Sequence, residues 1–367
     1  MVNTSNVVLN SSGGVVGQRA SLGGYSPNYK LTQVEDWSLS VQQEFGGGLI
    51  AEINYSASVA HHLPIFNQDL NRFTGDLIIN NGTLTRLNPN FGGINYATSD
   101  GNSVGQYGSA LVQRRISHGL ALRGIYTVGK ALDILSQSGS LDSGAITGGI
   151  ASDIIENGNF ARQRGRADFD IHQQFSADGT WMVPSHYPNA LERNVLGGWE
   201  FGGVWILQTG LPFTVYTSAA FNPVYNSSGQ VIGNTGGDYN ADGSNYDVPN
   251  EPSFGNHLSG QGKKAFLHGI FPASAFPVPT LGTEGNLGRN TYDEPGYNNL
   301  DFTFEKFFST PWFFGEKLKI EAKGEVFDLF NRSNLVSVSS DLSSGSFGKA
   351  TNQLPPRSLQ LHLRASF

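Results

Sequence analysis

The chain has 367 residues, long enough for two or three ordinary domains or one large β structure, with 14% charged, 38% hydrophobic and 11% aromatic residues, 47 glycines and no cysteine. The missing cysteines exclude disulfides, thiolate metal sites and cysteine nucleophiles. A net charge of −7 with only 23 scattered Lys and Arg residues leaves no basic stripe to follow a phosphate backbone, so nucleic acid is not an expected partner. No run of ~18 apolar residues exists, which excludes a helical span and leaves a β-barrel as the way across a membrane.

Residues 1–6 carry neither the basic nor the apolar segment of a secretion signal. A membrane barrel with this start is read as the C-terminal part of a longer precursor or as a gene fragment, and counting strands back from a periplasmic C-terminus makes residues 1–36 the remnant of an extracellular loop. From residue 37 onward, apolar and polar residues alternate in run after run, the period of a strand with one dry and one wet face. The first run covers 37–45. The second sets Leu49, Ala51, Ile53, Tyr55 and Ala57 against Glu52, Asn54, Ser56 and Ser58. Further strands are predicted at 107–116, at Leu120, Leu122, Gly124, Tyr126 and Val128, and at 171–183, 197–209 and 298–308. Near the end, Leu318, Ile320, Ala322, Gly324 and Val326 oppose Lys317, Lys319, Glu321, Lys323 and Glu325. The last run sets Leu359, Leu361, Leu363, Ala365 and Phe367 against Ser358, Gln360, His362, Arg364 and Ser366. Many of these runs approach the ~9–11 residues of a tilted membrane strand rather than the ~5–6 of soluble sheets.

The connections alternate in length. Short ones are Gly46-Gly47-Gly48, Ser117-His118 and Pro-containing stretches near 184–196 and 309–315; long ones are about 60–106, 130–170, 210–297 and 331–356. Outer-membrane barrels have short periplasmic turns and long extracellular loops. The predicted fold is thus all-β: an antiparallel transmembrane β-barrel segment of about nine strands over 37–367. Since single-chain bacterial barrels close with even strand numbers, an open partial barrel is expected, with edges at 37–45 and 359–367. Trp181, Trp199 and Trp312-Phe313-Phe314 then fall near one interface and Trp37 and Tyr55 near the other, where ordinary core aromatics are the alternative. Small hairpins are expected in the long loops, around Asn80-Asn81-Gly82 and around Asn226-Ser227-Ser228-Gly229.

Several stretches also resemble a known family. They are Trp37-Ser38-Leu39-Ser40-Val41-Gln42-Gln43-Glu44, Gln113-Arg114-Arg115 with Ser117-His118-Gly119-Leu120, and Gly165-Arg166-Ala167-Asp168-Phe169-Asp170. With them go Leu196-Gly197-Gly198-Trp199, Gln208-Thr209-Gly210-Leu211-Pro212-Phe213, Glu325-Val326-Phe327-Asp328-Leu329-Phe330-Asn331 and Pro356-Arg357-Ser358-Leu359-Gln360-Leu361. In this order they resemble the C-terminal half of TonB-dependent transporters of the Oar-like type, from about residue 31 to the end. The resemblance implies a Gram-negative outer-membrane receptor or transporter of an unidentified ligand. Its partners would be outer-membrane lipid, the missing N-terminal barrel strands and plug, and the TonB system through that missing part. A passive porin-like channel and a secreted β-rich binding or adhesion protein are the alternatives.

Three constellations carry chemistry. Asp238, Asn240, Asp242 and Asp247, with Gly243 at the sixth position, match much of a calcium loop, because a hard cation needs ~6–8 oxygens and a tight turn to wrap them. Pro249 stands where the bidentate Glu belongs, and Asp247 is its stand-in; a merely polar outer loop is the alternative. Arg162, Arg164, Arg166, Asp168 and Asp170 lie where a loop re-enters the wall, as an anion site or, in the plainer reading, a rim salt-bridge network. Leu359, Leu361, Leu363 and Phe367 look like the terminal signal read by barrel-assembly machinery, an ordinary last strand being the alternative. His61-His62 offers no second ligand at useful spacing. No G-x-S-x-G elbow, P-loop or H-E-x-x-H occurs, so no enzyme is expected.

Overall fold

The computed structural model describes residues 8–9, 15–16, 19–71, 86–136, 159–184, 187–189, 192, 195–243, 246–254, 262–309 and 318–366. Trp312-Phe313-Phe314, Phe367 and the turn expected at Asn80-Asn81-Gly82 lie outside these residues.

Nine antiparallel strands form one wall: β1 (Gln33–Phe45), β2 (Leu49–Asp69), β3 (Ile94–Ser117), β4 (Leu120–Asp133), β5 (Gln173–Met182), β6 (Trp199–Gln208), β7 (Tyr297–Ser309), β8 (Lys319–Phe327) and β9 (Ser358–Ser366). Among the described residues these nine pair with one another only as sequence neighbours, with Leu22–Tyr25 and Gly165–Arg166 added beside β3 and β4, so β1 and β9 are the two edges and the sheet is open. Directly opposed residues point to the same face. Ile53 stands between Val41 and Ala110, Val112 faces Gly124, Gly179 faces Gly203, and Val326 faces Leu359. The apolar set of each strand therefore merges into one continuous dry face, on which Ile53, Leu361 and Leu363 are 70%, 71% and 78% exposed. Large apolar side chains this exposed over a whole wall face call for lipid as their solvent.

The opposite face is wet. Arg123 Nε donates to Asp178 Oδ1 at 2.8 Å across β4 and β5. On β8 and β9 the Glu325 carboxylate lies 2.8 Å from Lys323 Nζ and 3.2 Å from His362 Nε2.

Short connections occupy one end of the wall. Gly47 and Gly48, at φ +75° and +74°, turn β1 into β2 with a backbone that a side chain would strain. His118 and Gly119 (φ 52° and 81°) close the two-residue turn between β3 and β4, the positive-φ pair that matches strand twist.

At the other end the outcome differs from the sequence reading in two places. The loop read over about 60–106 is in part strand, because β2 and β3 continue as a two-stranded ribbon. Their register shifts between His61 and Leu63, Leu63 and Ile65, and Ile65 and Gln68. Pro64 lacks the N–H a regular ladder needs and His62 sits at φ 57°, so the alternation that marks a strand breaks there while pairing resumes beyond. The stretch read as a loop remnant over 1–36 also contributes structure. Leu22–Tyr25 pairs in parallel with the start of β3, and β1 begins at Gln33.

The long connections β6–β7 and β8–β9 fold together into an outer body with its own core, including Phe213, Val215, Val248, Phe266, Leu287, Leu335 and Val338. Phe271 is its hub, 5.0 Å from Phe276, 5.2 Å from Tyr292 and 5.3 Å from Phe347 between ring centres. The hairpin expected around Asn226 is present, Pro223–Tyr225 pairing with Val231–Asn234.

Candidate cation site and outer-loop network

The segment 238–247 begins by turning on itself. Asp238 and Ala241 adopt φ 48° and 60°, and Gly243 follows at 85°. Asp238 Oδ1 accepts the Asp242 N–H at 3.0 Å and Oδ2 the Gly243 N–H at 3.1 Å; Asn240 Oδ1 also accepts from Asp242, at 3.0 Å, and Asp247 Oδ2 accepts from Asn240 at 2.9 Å. This wrapping brings one carboxylate oxygen each of Asp238, Asp242 and Asp247 within 4.8 Å of one another. Asp238 and Asp247 are buried, 2% and 1% exposed. Burial, reinforced by the Asp242 charge, pushes the Asp238 carboxyl up to about 6. Asp247 is raised by burial and by its two acidic neighbours.

A fourth carboxylate comes from a strand of chain that the sequence reading did not connect with this loop. Glu284 Oε1 accepts the Val248 N–H at 2.6 Å, whereas Oε2 is buried without a hydrogen-bond partner among the described residues. Burial raises the Glu284 carboxyl, and Asp247 adds to the effect. The two segments are tied together by Gly282 N to Tyr239 O, Gly285 N to Val248 O and Leu287 N to Pro249 O, at 2.9, 3.1 and 3.1 Å. An array of acidic oxygens held apart from solvent, each raising the next, favours either protons or a hard cation. Asp238, Asn240, Asp242 and Asp247 would hold such a cation, with Glu284 beside them.

The arginine cluster divides. Arg166 Nε donates to Asp170 Oδ2 at 2.7 Å and its Nη1 to Asp293 Oδ1 at 2.5 Å, while Asp170 Oδ1 accepts the Ala131 N–H at 2.7 Å. Asp168 accepts from Asn290 Nδ2 at 2.7 Å and lies 3.2 Å from Arg289 Nη1. Burial raises the Asp168 carboxyl. Arg162 instead reaches the Gly285 carbonyl and Arg164 the Asn102 side chain. The residue at the centre is one that local pattern did not single out. Arg289, with no exposed side-chain surface, bonds Asp133, Asp168 and the Gln163 carbonyl, joining the β4–β5 connection to the β6–β7 connection. Arg166 and Arg289 are each met by two protein carboxylates, and the geometry of these two is that of a clamp between loops.

On β9, Leu359, Leu361 and Leu363 share the dry face at the sheet edge.

The profile of the family described as "Outer membrane beta barrel domain" matches residues 2–360. No curated protein matches the chain. Among solved structures, the chain is similar to the outer membrane transporter YddB from Escherichia coli at 12% identity and TM-score 0.47, covering 95% of this chain and 34% of that one. It is also similar to FpvA of P. aeruginosa bound to heterologous pyoverdines (11%, 0.38, 90% and 27%) and to the copper transporter OprC (10%, 0.37, 93% and 33%). The chain thus spans about a third or less of the length of these structures. Its two-faced antiparallel wall lies in the outer membrane of a Gram-negative bacterium, and the chain belongs to the outer membrane beta barrel domain family.

Proposed function

We propose that the chain forms the C-terminal part of the barrel of a TonB-dependent outer-membrane receptor, which takes up a ligand without chemical conversion. The observation that carries this reading is the outer body. Two long connections build a separate core around Phe271 and are clamped to β4 through Arg289, an arrangement suited to presenting a shaped surface to the outside. The ordered motifs that resemble Oar-like transporters support the same reading. In the full receptor, further strands pair with the edges β1 and β9, since bare N–H and C=O groups in hydrocarbon cost several kcal/mol or so each. A plug fills the lumen and provides the link to TonB, and β9, with Leu359, Leu361 and Leu363, is the segment read by the assembly machinery. Liposome swelling separates this from a passive porin. The full-length receptor leaves liposomes tight to small sugars, and removal of its plug opens them. Swelling with the intact receptor overturns the reading.

Within the outer body, the Asp238–Asp247 turn and Glu284 serve a structural calcium ion. The specific support is the three converging aspartates, together with Glu284, whose Oε1 takes the N–H of Val248 next to Asp247 and whose Oε2 is buried without a hydrogen-bond partner among the described residues. The ion would neutralise the acidic oxygens and fix the 238–250 and 282–287 segments against each other, with no catalytic part.

A further inference from the structure

The dry face of the wall is not uniform. Across β4, β5 and β6, four small residues fall together: Gly124 stands opposite Ala177, and Gly179 opposite Gly203. They floor a groove of about 550 Å³. On the side of the short turns its wall is a row of stacked rings, Trp181 on Phe201 at 5.9 Å and Phe201 on Phe302 at 6.1 Å. On the other side Trp205 meets Phe175 edge-on at 5.9 Å. Not every glycine of this face leaves a gap. At Gly324 the Phe304 ring, and at Gly179 the Leu122 side chain, cover the space a side chain would take, whereas at Gly124 the nearest atom to an added Cβ is Phe175 Cε2 at 3.9 Å.

We propose that this groove seats one acyl chain of a phospholipid and retains it more firmly than the rest of the wall retains lipid. The occupant follows from continuity with the lipid-facing surface. The groove is cut into the same apolar face as Ile53 and Leu361, on strands remote from both sheet edges. The lining on this face is mostly glycine, aliphatic and ring surface, and the Trp205 Nε1–H is already given to Asn298 Oδ1 at 3.1 Å, so the hollow offers water little to bond and stays dry. A flexible hydrocarbon chain fits a dry, narrow hollow walled by rings, gaining dispersion contacts on several sides rather than one. The ring wall on the short-turn side lies at the height of Trp199, in the periplasmic aromatic belt, so the chain enters from the periplasmic leaflet. This inference rests on the membrane face alone and is independent of ligand uptake.

The test uses the full-length receptor, equilibrated with vesicles of deuterated phosphatidylethanolamine, moved into detergent and weighed by native mass spectrometry. The wild-type protein keeps one labelled lipid per barrel. Gly124→Phe and Ala177→Phe, which fill the floor, lower retention about tenfold, the effect of losing roughly two buried methylenes. Gly108→Phe, on the same face between Tyr55 and Val128 but away from the groove, leaves retention unchanged. Each variant is first checked for the heat-modifiable mobility of a folded barrel. A wild-type receptor without retained lipid overturns the proposal whatever the variants do. So does equal loss in Gly108→Phe, or a dimer that Gly124→Phe dissociates, which would assign the groove to a second copy of the chain.

Discussion

The guanidinium of Arg289, in the connection between β6 and β7, donates to the carboxylate of Asp133 at the outer end of β4, across 156 positions of sequence. Neither side chain meets solvent appreciably, at 0% and 4% exposure. Removing one partner of such a pair leaves an uncompensated buried charge, which costs ~3–5 kcal/mol. Arg289→Ala should therefore release the outer body from the wall while β4 itself stays paired. Hydrogen exchange should rise over 160–170 and 285–293 with heat-modifiable mobility kept. Arg289→Lys should rescue little, because one ammonium cannot reproduce the planar fork that reaches Asp133, Asp168 and the Gln163 carbonyl together. Unchanged exchange in Arg289→Ala would show that the pair does not hold the loops.

The two faces of β9 make opposite predictions for the same substitution. Leu361 points into the dry face and Gln360 into the wet one. A cation on the lipid face costs ~2–4 kcal/mol near the bilayer midplane and little in the lumen. Leu361→Arg should lower the folding free energy of the full-length barrel in lipid vesicles by that order, and Gln360→Arg should leave it within ~1 kcal/mol. Equal effects would remove the assignment of lipid to the Leu361 side.

How much of this was readable in advance divides by element. The wall was legible because a strand with one dry and one wet side writes a period of two into the chain, as at Leu318 to Val326. The ribbon formed by the ends of β2 and β3 was not, because Pro64 and the shifts around it erase that period while backbone pairing continues. The outer core left no periodic trace either: Phe271, Phe276 and Phe347 meet through irregular backbone, and Phe266 joins them from the single helical turn Ala265–His268. For the candidate site, the spacing of Asp238, Asn240, Asp242 and Gly243 announced the turn. Glu284 and Arg289 reach their partners only through tertiary folding, with no local pattern to mark them.

The acidic cluster gives the outer body a pH dependence of definite sign when calcium is chelated. Asp238 ionises near 3.8 in the unfolded chain and near 6 in the folded one. Between these values the folded state binds more protons, so stability falls as pH rises and the protonated advantage is gone above the folded value. Asp247 and Glu284 are displaced in the same direction and extend the decline upward, with Asp242 and Arg162 as the other charges facing them. Amide protection over 238–250 and 282–287, measured in chelator, should decrease from about pH 4 to about pH 7. Protection that rises with pH would contradict the buried, mutually repelling arrangement.

Calcium should reverse that decline, and its binding separates a cation loop from a merely polar one. A hard divalent ion takes its ligands from ionised oxygens, so raising pH, which costs the empty cluster stability, should strengthen binding. Calorimetry on the full-length receptor should give one site whose affinity grows from about pH 5 to about pH 7, with proton release on binding. Asp242→Ala removes one of the three converging carboxylates while its backbone N–H still serves Asp238 and Asn240, so the turn should survive and the binding heat should not. Glu284→Gln keeps an acceptor for the Val248 N–H and should weaken calcium less than Asp242→Ala while making the chelated protein more stable at neutral pH. Magnesium should compete poorly, since it demands a stricter octahedral shell. Identical heats for the wild type and Asp242→Ala would end the calcium reading and leave a polar, acid-stabilised loop in its place.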